Sequence, residues 1–201
     1  MRQSLFYFLF PFLIVLLGLQ TMLRAAGIKT CGPGRTALLS LASAALVAFP
    51  VDGLSLAAYA RGINSDWSIP TLLLMLHWAR GNATGANLQD PRTHRSFWRF
   101  GALSAFLLYP AALGLSGFDP YALGFGSGYM LLALLTASLA LIVRRNPLGV
   151  VLPVCVACWN LGFLESKNLW DYLIDPLFGV VSILMVGAEL ISTRSPKAAR
   201  P

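Results

Sequence analysis

The chain has 201 residues, of which 57% are hydrophobic and only 11% are charged, and its formal net charge is +7. This composition excludes an ordinary soluble globular domain, in which about 25% of residues are charged. The basic residues lie in short clusters beside apolar runs rather than on one polar face, so nucleic acid is not a predicted partner. Composition and length predict one integral membrane domain, residues 1–201, surrounded by membrane lipids.

Apolar segments follow one another along the whole chain. The first has the basic start of a cleaved signal peptide, but its apolar stretch is long for one, so an uncleaved helix is favoured. The third is too short to span unless it begins near Ile63; otherwise it is a re-entrant or interfacial segment. The fold class is therefore all-α, a polytopic bundle with helices predicted at 4–23, 36–50, 68–79, 97–117, 121–143, 148–164 and 176–193.

The basic residues predict the orientation of these helices. Twelve of the fifteen lie in the first loop, around the loop 80–99, at 144–145 and in the C-terminal tail, and the opposite side receives only Arg2, Arg61 and Lys167. The positive-inside rule then gives seven transmembrane helices, with the N-terminus outside and the C-terminus in the cytoplasm. The alternative has six spans, with 68–79 not crossing, and it either places the N-terminus inside or breaks this alternation at 80–99.

The predicted outer segments, 49–68, 116–126 and 164–176, each combine carboxylates with Trp or Tyr. Aromatic rings of this kind are typical of membrane interfaces. Asp119-Pro120 and Asp175-Pro176 have the pattern of an N-cap followed by proline at the first helical position. Asn168 to Asp171 has the spacing of a capping box, which predicts a short interfacial helix over 169–174.

Capping does not explain every charged residue of the outer segments. Asp52 stands between Pro50 and Gly53, which are expected to break the helix and leave the carboxylate facing a cavity. Glu165 and Lys167 form either a surface ion pair worth at most about 1 kcal/mol or part of a polar pocket for a cationic, metal or headgroup ligand. The candidate ligand-binding residues are Asp52, Arg61, Asp66, Glu165, Lys167 and Asp171. Neither a catalytic residue, nor a resident metal, nor a cofactor is assigned.

Other motifs have structural interpretations. Cys155-x-x-Cys158 lies within an apolar segment, where buried thiols are favoured over a zinc or redox site. The glycines in 124–128 do not follow a strand, so they favour close helix contact or a kink rather than a phosphate loop. The sequon at Asn82 falls on the predicted inner side, and the basic loop 80–99 suits topogenic flanking or contact with anionic headgroups.

Three functions are compatible with this pattern. The first is a scaffold or accessory subunit of a cell-envelope assembly complex in the bacterial inner membrane, whose partner is another membrane or periplasmic protein. The second is a membrane-embedded enzyme or binding protein for a lipid-linked or headgroup substrate at the outer surface, using carboxylates as acid–base groups or metal ligands. The third is a small transporter, which is disfavoured because nearly all charges lie at helix ends.

Overall fold

The computed structural model describes residues 2–86, 91–115, 117–126 and 128–194. Within these ranges the protein is all-α, with one two-stranded hairpin as its only strands. Each of the seven predicted segments contains a long helix. These are α1 (Arg2–Ala25), α2 (Pro33–Ala48), α4 (Ile69–Thr84), α5 (Pro91–Ala112), α6 (Gly128–Val143), α7 (Leu148–Asn160) and α9 (Pro176–Arg194).

Three further elements lie between the long helices. The hairpin β1 (Pro50–Val51) and β2 (Leu54–Ser55) runs directly into the eight-residue helix α3 (Leu56–Ile63), where the sequence predicted a loop. Helix α8 (Leu169–Leu173) confirms the short helix predicted over 169–174, and its Asn168 side chain accepts from the backbone N–H of Trp170 as a cap. The predicted start of α6 is instead a 3₁₀ turn, Tyr121–Gly124.

Several helices end earlier or later than predicted because of backbone turns at their C-termini. Helix α7 stops at Asn160 because Gly162, at φ +64, turns the chain and the Phe163 N–H donates to the Cys158 carbonyl. The same motif ends α5 through Gly114 and α1 through Gly27. Helix α6 uses Arg145 at this position, with φ +54, where glycine is the usual residue.

The helices pack in pairs, which are antiparallel for α5 with α9 and for α6 with α7, and parallel for α1 with α4. Helix α5 lies along α9, where Gly101 fits beneath Ser182 and Gly179 fits against the ring of Tyr109. Helix α1 packs on α2 and α4, and α6 packs on α7. Leu152 and Cys155 of α7 and Tyr172 of α8 are among the most buried side chains, and they lie in one core with Phe178 of α9.

Polar contacts between segments far apart in sequence lie at the two opposite ends of the bundle. At one end, Asn82 of α4 meets Arg24, Asn146 donates to Ser96, and Glu189 pairs with Arg95 and Arg99. At the other end, the N-terminal part of α1 meets α3 and the segment before α8, and the 3₁₀ turn meets α8. The residues predicted to face inward and outward are therefore on opposite ends of the bundle.

Only α1 is both long and apolar enough to pass for a membrane span among the described residues, over Phe6–Ala25, with a mean hydropathy of 2.1. Helix α1 lies near the N-terminus, where a signal sequence has the same properties. The apolar parts of α2, α6, α7 and α9 are shorter, at 10–17 residues. The predicted seven spans and multi-pass location are thus not confirmed, whereas the all-helical class is.

Candidate functional site

A polar cluster, defined here as Tyr7, Arg61, Asp66, Tyr121, Glu165, Ser166 and Asp171, lies at the end of the bundle predicted to face outward. Its members come from α1, α3, the segment before α4, the 3₁₀ turn, the segment that leads into α8, and α8 itself. Helix α3 is formed locally, since Ser55 accepts from the Ala58 N–H as an N-cap. That helix positions Arg61 above α1.

Arg61 and Glu165 form an ion pair between their side chains, which remain 50% and 38% exposed. The Arg61 guanidinium also lies 4.3 Å from the centre of the Tyr7 ring, a cation–π arrangement. The Tyr7 hydroxyl lies beside the Glu165 carboxylate without a hydrogen bond of regular geometry. This phenol, followed by Arg61, holds the pKa of Glu165 below its usual value.

Asp66 is a half-buried carboxylate that anchors the Glu165 backbone. One of its oxygens accepts from the Glu165 N–H at 2.9 Å, and the other accepts from the Ser65 hydroxyl at 3.3 Å. Burial raises the pKa of Asp66. The two hydrogen bonds lower it in part, and the negative charges of Asp171 and Glu165 raise it further. Three carboxylates from separate segments are thus close enough to influence one another.

Asp171 joins the 3₁₀ turn to the segment before α8. Its Oδ2 accepts from the Tyr121 hydroxyl at 2.7 Å and from the Ser166 hydroxyl. Burial, and then the bond to Asp171, raise the pKa of Tyr121 to about 12. The capping-box prediction is therefore half right. Asn168 caps α8, but its backbone N–H donates to the Ser166 hydroxyl rather than to the Asp171 carboxylate, as a capping box requires.

The floor beneath Asp171 consists of close contacts to the 3₁₀ turn. Asn168 donates to the Tyr121 carbonyl at 2.9 Å, and the Trp170 indole N–H donates to the Pro120 carbonyl at 2.9 Å. A Cβ on Gly124 would lie 1.7 Å from the Asn168 Oδ1, so a residue without a side chain is required there. The predicted contact between helices is not what these glycines make: Gly124 leaves room for a side chain at a turn, and a Cβ on Gly126 or Gly128 would meet nothing within 4 Å.

The structure brings together four of the six candidates, namely Arg61, Asp66, Glu165 and Asp171. Asp52 lies instead at the turn of the hairpin, exposed and at φ +50, rather than at a cavity. The Lys167 side chain is exposed, and only its carbonyl has a described bond, accepting from the Trp159 indole at 2.7 Å. Lys167 and Glu165 are both in the loop, but the partner of Glu165 is Arg61.

Asp175, which the sequence assigned to capping, has a larger role than predicted. It does cap α9, because its Oδ1 accepts from the Phe178 N–H at 2.9 Å. Its Oδ2 accepts from the N–H and the hydroxyl of Ser68, at 3.0 and 2.6 Å, and from the Thr71 hydroxyl. One buried carboxylate therefore ties the starts of α4 and α9 together.

The sequence pattern did not single out Tyr7, Tyr121 or Ser166. Tyr7 lies inside the first apolar run, and only its place near the predicted outer end of α1 could have drawn attention to it. Tyr121 was interpreted as an interfacial aromatic, which is compatible with its exposed ring, but its hydroxyl has a specific partner 50 residues away. Such pairs are set by loop packing that periodicity does not encode.

The carboxylates of the cluster are occupied by donors of the chain itself. Among the described residues, no three His, Cys, Asp or Glu side chains are grouped so as to hold a metal ion. The thiols of Cys155 and Cys158 are unpaired, and Cys155 is fully buried, as predicted for structural cysteines. The arrangement defines a helical bundle closed at one end by a hydrogen-bonded polar cluster.

Comparison with known proteins adds no assignment. No protein-family model, no curated protein and no solved structure matches this chain.

Proposed function

We propose that the protein is a seven-span protein of the bacterial inner membrane that serves as a scaffold or accessory subunit of a cell-envelope assembly complex. The observation that carries the proposal is the polar cluster, in which Arg61, Asp66, Glu165 and Asp171 bond to their own neighbours. A surface whose charged side chains are held by an ion pair and by hydrogen bonds within the protein is suited to holding a fixed shape for a partner. Acid–base chemistry instead requires a group that is free to exchange a proton with a substrate.

A lipid environment is supported by the apolar side chains on the outside of the bundle. Helix α6 exposes Leu132, Leu135 and Leu139 between 55% and 62%, and α5, α7 and α9 also expose large apolar side chains. Soluble monomers rarely expose apolar surface that continues over neighbouring elements. A bilayer, with partner helices in places, accounts for such a surface.

Exposed hydroxyl groups on the helices support the same environment. Thr21 donates to the Leu17 carbonyl at 2.7 Å, and Thr136 donates to the Leu132 carbonyl at 2.8 Å. In hydrocarbon a hydroxyl has no water to bond, so a bond to the carbonyl four residues earlier is the available solution. The 16-residue helices are about 24 Å long, which a locally thinned bilayer accommodates.

Thiol labelling tests the orientation. In a chain with Cys31, Cys155 and Cys158 replaced by Ser, single cysteines are placed at Asp52 and at Ala86, which are exposed at opposite ends. We expect a membrane-impermeant maleimide to label intact cells at 52 and not at 86. Labelling at both positions, or a chain recovered in the soluble fraction, would contradict the membrane proposal.

The scaffold role is tested by crosslinking in intact cells followed by purification in mild detergent. We expect a stoichiometric envelope protein to be recovered with the wild-type chain and lost with the double change Arg61→Ala and Glu165→Ala. The matched control is Arg95→Ala with Glu189→Ala, which removes both ion pairs of Glu189 at the other end. The cluster would be excluded as the docking surface if the partner were recovered with both double variants, or if it were recovered with neither of them.

The second candidate is a headgroup-binding protein or enzyme at the outer surface, and one observation favours it. Lys167 and the half-exposed Arg61 place two cations beside the cluster, as an anionic headgroup would require. If this function holds, the purified chain will retain an anionic lipid that Arg61→Ala and Lys167→Ala release, or a divalent metal that Asp66→Ala and Glu165→Ala release. Transport remains the third proposal, and solute flux into liposomes tests it.

A further inference from the structure

The end of the bundle opposite the polar cluster contains a small basic cavity. It has a volume of about 240 Å³ and lies in the turn that follows α1, where it is lined by Arg24, Gly27, Ile28, Lys29, Thr30 and Cys31. Gly27, at φ +77, allows the turn, and the Ile28 N–H closes it by donating to the Leu23 carbonyl. Arg24 and Lys29 are exposed, and no carboxylate lines the cavity.

A polar relay that begins at the buried Gln20 supports this cavity from inside the bundle. Gln20, which is 0% exposed, accepts through Oε1 from the Asn82 side-chain amide at 3.1 Å. The Asn82 Oδ1 in turn accepts from the Arg24 guanidinium, and the Asn82 carbonyl accepts from the buried Thr30 hydroxyl at 3.3 Å. The relay therefore fixes both the cation and the turn that form the cavity.

Burying the Gln20 side chain costs free energy of folding that its one described hydrogen bond offsets only in part. The Gln20 Nε2 is buried and has no hydrogen-bond partner among the described residues, so the side chain is only half satisfied. An apolar residue at that position in α1 would pack without this cost. The arrangement does hold the Arg24 guanidinium at the cavity, which Lys29 also lines.

We propose that this cavity binds a phosphate group through Arg24 and Lys29. A guanidinium held in a fixed orientation, together with an ammonium, is the donor set that proteins use for phosphate oxygens. The partial negative charge at the C-terminus of α1 disfavours a bound anion. Two nearby cations favour the anion by a larger free energy. In the proposed orientation the cavity lies at the cytoplasmic surface, where the phosphates of anionic lipid headgroups are the abundant source.

Cys31 provides a direct readout because its half-buried thiol lines the cavity. The full chain, with Cys155 and Cys158 changed to Ala, is purified in mild detergent, and the rate of maleimide labelling is measured. We expect phosphatidylglycerol to slow the labelling, and phosphatidylcholine at the same concentration to leave it unchanged. Sodium phosphate, compared with sodium chloride at equal ionic strength, separates a free phosphate from a lipid headgroup.

Lys29→Gln is the decisive variant, because the exposed Lys29 side chain is not part of the relay. We expect the concentration of phosphatidylglycerol needed for half-protection to rise at least about fivefold, and further when Arg24→Gln is added. Arg35→Gln is the matched control, an exposed cation in α2 outside the cavity, and it should leave protection unchanged. Equal protection by phosphatidylcholine, no protection by either phosphate source, or identical behaviour of Lys29→Gln and Arg35→Gln would overturn the proposal.

Discussion

The Asp175 carboxylate accepts four hydrogen bonds and is 3% exposed, which makes it the most constrained charge described in the molecule. We expect Asp175→Asn to lower the free energy of unfolding by about 3 kcal/mol, because the amide presents a donor toward donors and leaves buried groups unpaired. The measurement is denaturant unfolding of the purified chain in mild detergent, followed by tryptophan fluorescence.

Asp119→Asn is the control for this change. Asp119 is exposed and has one described bond, accepting from the Tyr121 N–H at 2.9 Å, which an asparagine oxygen can also make. Its effect should stay below about 1 kcal/mol. If the two variants unfold alike, the buried bonds of Asp175 contribute no more than an ordinary cap.

The shifts of Asp66 and Glu165 predict opposite dependences of stability on pH. Burial raises the pKa of Asp66 above 3.8, so its contribution is complete below 3.8 and is lost as pH rises through the raised value. Tyr7 and Arg61 lower the pKa of Glu165 below 4.5, so its contribution is present above 4.5 and is lost as pH falls through the lowered value. The two carboxylates therefore work against each other at neutral pH.

Each isosteric amide isolates one of these contributions. Asp66→Asn should be at least as stable as the wild type at pH 7, with the advantage shrinking as pH falls toward 3.8, because its oxygen still accepts from the Glu165 N–H. Glu165→Gln should be less stable at pH 7, with the difference shrinking below 4.5. Unfolding midpoints measured between these pH values check both, and parallel pH profiles for the two variants would refute the assignment.

At the scale of single residues, the sequence predicted roles that depend on neighbours along the chain and missed those that depend on distant partners. The caps at Asn168 and Asp175 follow from local residue order, and both occur. The bonds from Ser68 and Thr71 to Asp175 join residues more than 100 positions apart. Only the packing of α4 against α8 and α9 brings them together.

At the scale of helices, contacts at glycine decide how closely pairs approach. A Cβ on Gly149 would lie 2.7 Å from the Ile142 backbone nitrogen and 2.9 Å from the Ser138 carbonyl oxygen, and backbone atoms cannot move aside. The Ser138 hydroxyl also donates to the Gly149 carbonyl at 2.6 Å. We expect Gly149→Ala to destabilise the protein by about 1–3 kcal/mol, measured by thermal unfolding in detergent.

Gly187 in α9 is the matched control, since a Cβ there meets nothing within 4 Å. Alanine at 187 should be neutral or stabilising by up to about 1 kcal/mol, because glycine is the poorer helix former. Destabilisation of equal size at both sites would mean that helix propensity or detergent, rather than close approach, sets the effect.

The predicted helices are correct where hydropathy dominates and wrong where turns dominate. Long apolar runs predict all seven long helices. The same criterion extends α7 over 161–164 and α5 over 113–117, because these residues are mostly apolar. The structure ends α7 at Asn160 and α5 at Ala112, because Gly162 and Gly114 turn the chain. The hairpin and α3 were predicted as loop because α3 has eight residues and none of them is buried. An element that short is defined by its cap and by contacts with α1 and α2 rather than by a core stripe.

At the scale of the whole molecule, charges and exposed apolar surface are arranged along one axis. The polar cluster lies at one end and the Arg24–Asn82 and Arg99–Glu189 contacts lie at the other, with the exposed leucines of α6 between them. Basic-residue counts predicted which loops share an end. They could not predict which side chains meet there, because each end is assembled from segments far apart in sequence.

Because the exposed leucines of α6 lie between the two polar ends, a membrane environment can be tested by placing a charge on one of them. Leu135 is 55% exposed near the middle of α6. In water, Leu135→Lys would change stability by at most about 0.5 kcal/mol. Facing lipid at the centre of a spanning helix, lysine costs about 2.5–3.5 kcal/mol on insertion.

We therefore expect Leu135→Lys to reduce the amount of folded protein in the membrane fraction at least about tenfold, since 1.4 kcal/mol corresponds to a factor of ten. Leu54→Lys is the matched control, because Leu54 is 51% exposed in the hairpin at the end of the bundle, where an added cation remains in water. The membrane content of both variants is measured by quantitative blotting against the wild type. Equal recovery of the two would mean that the exposed face of α6 is not surrounded by hydrocarbon, and that a partner protein or solvent covers it.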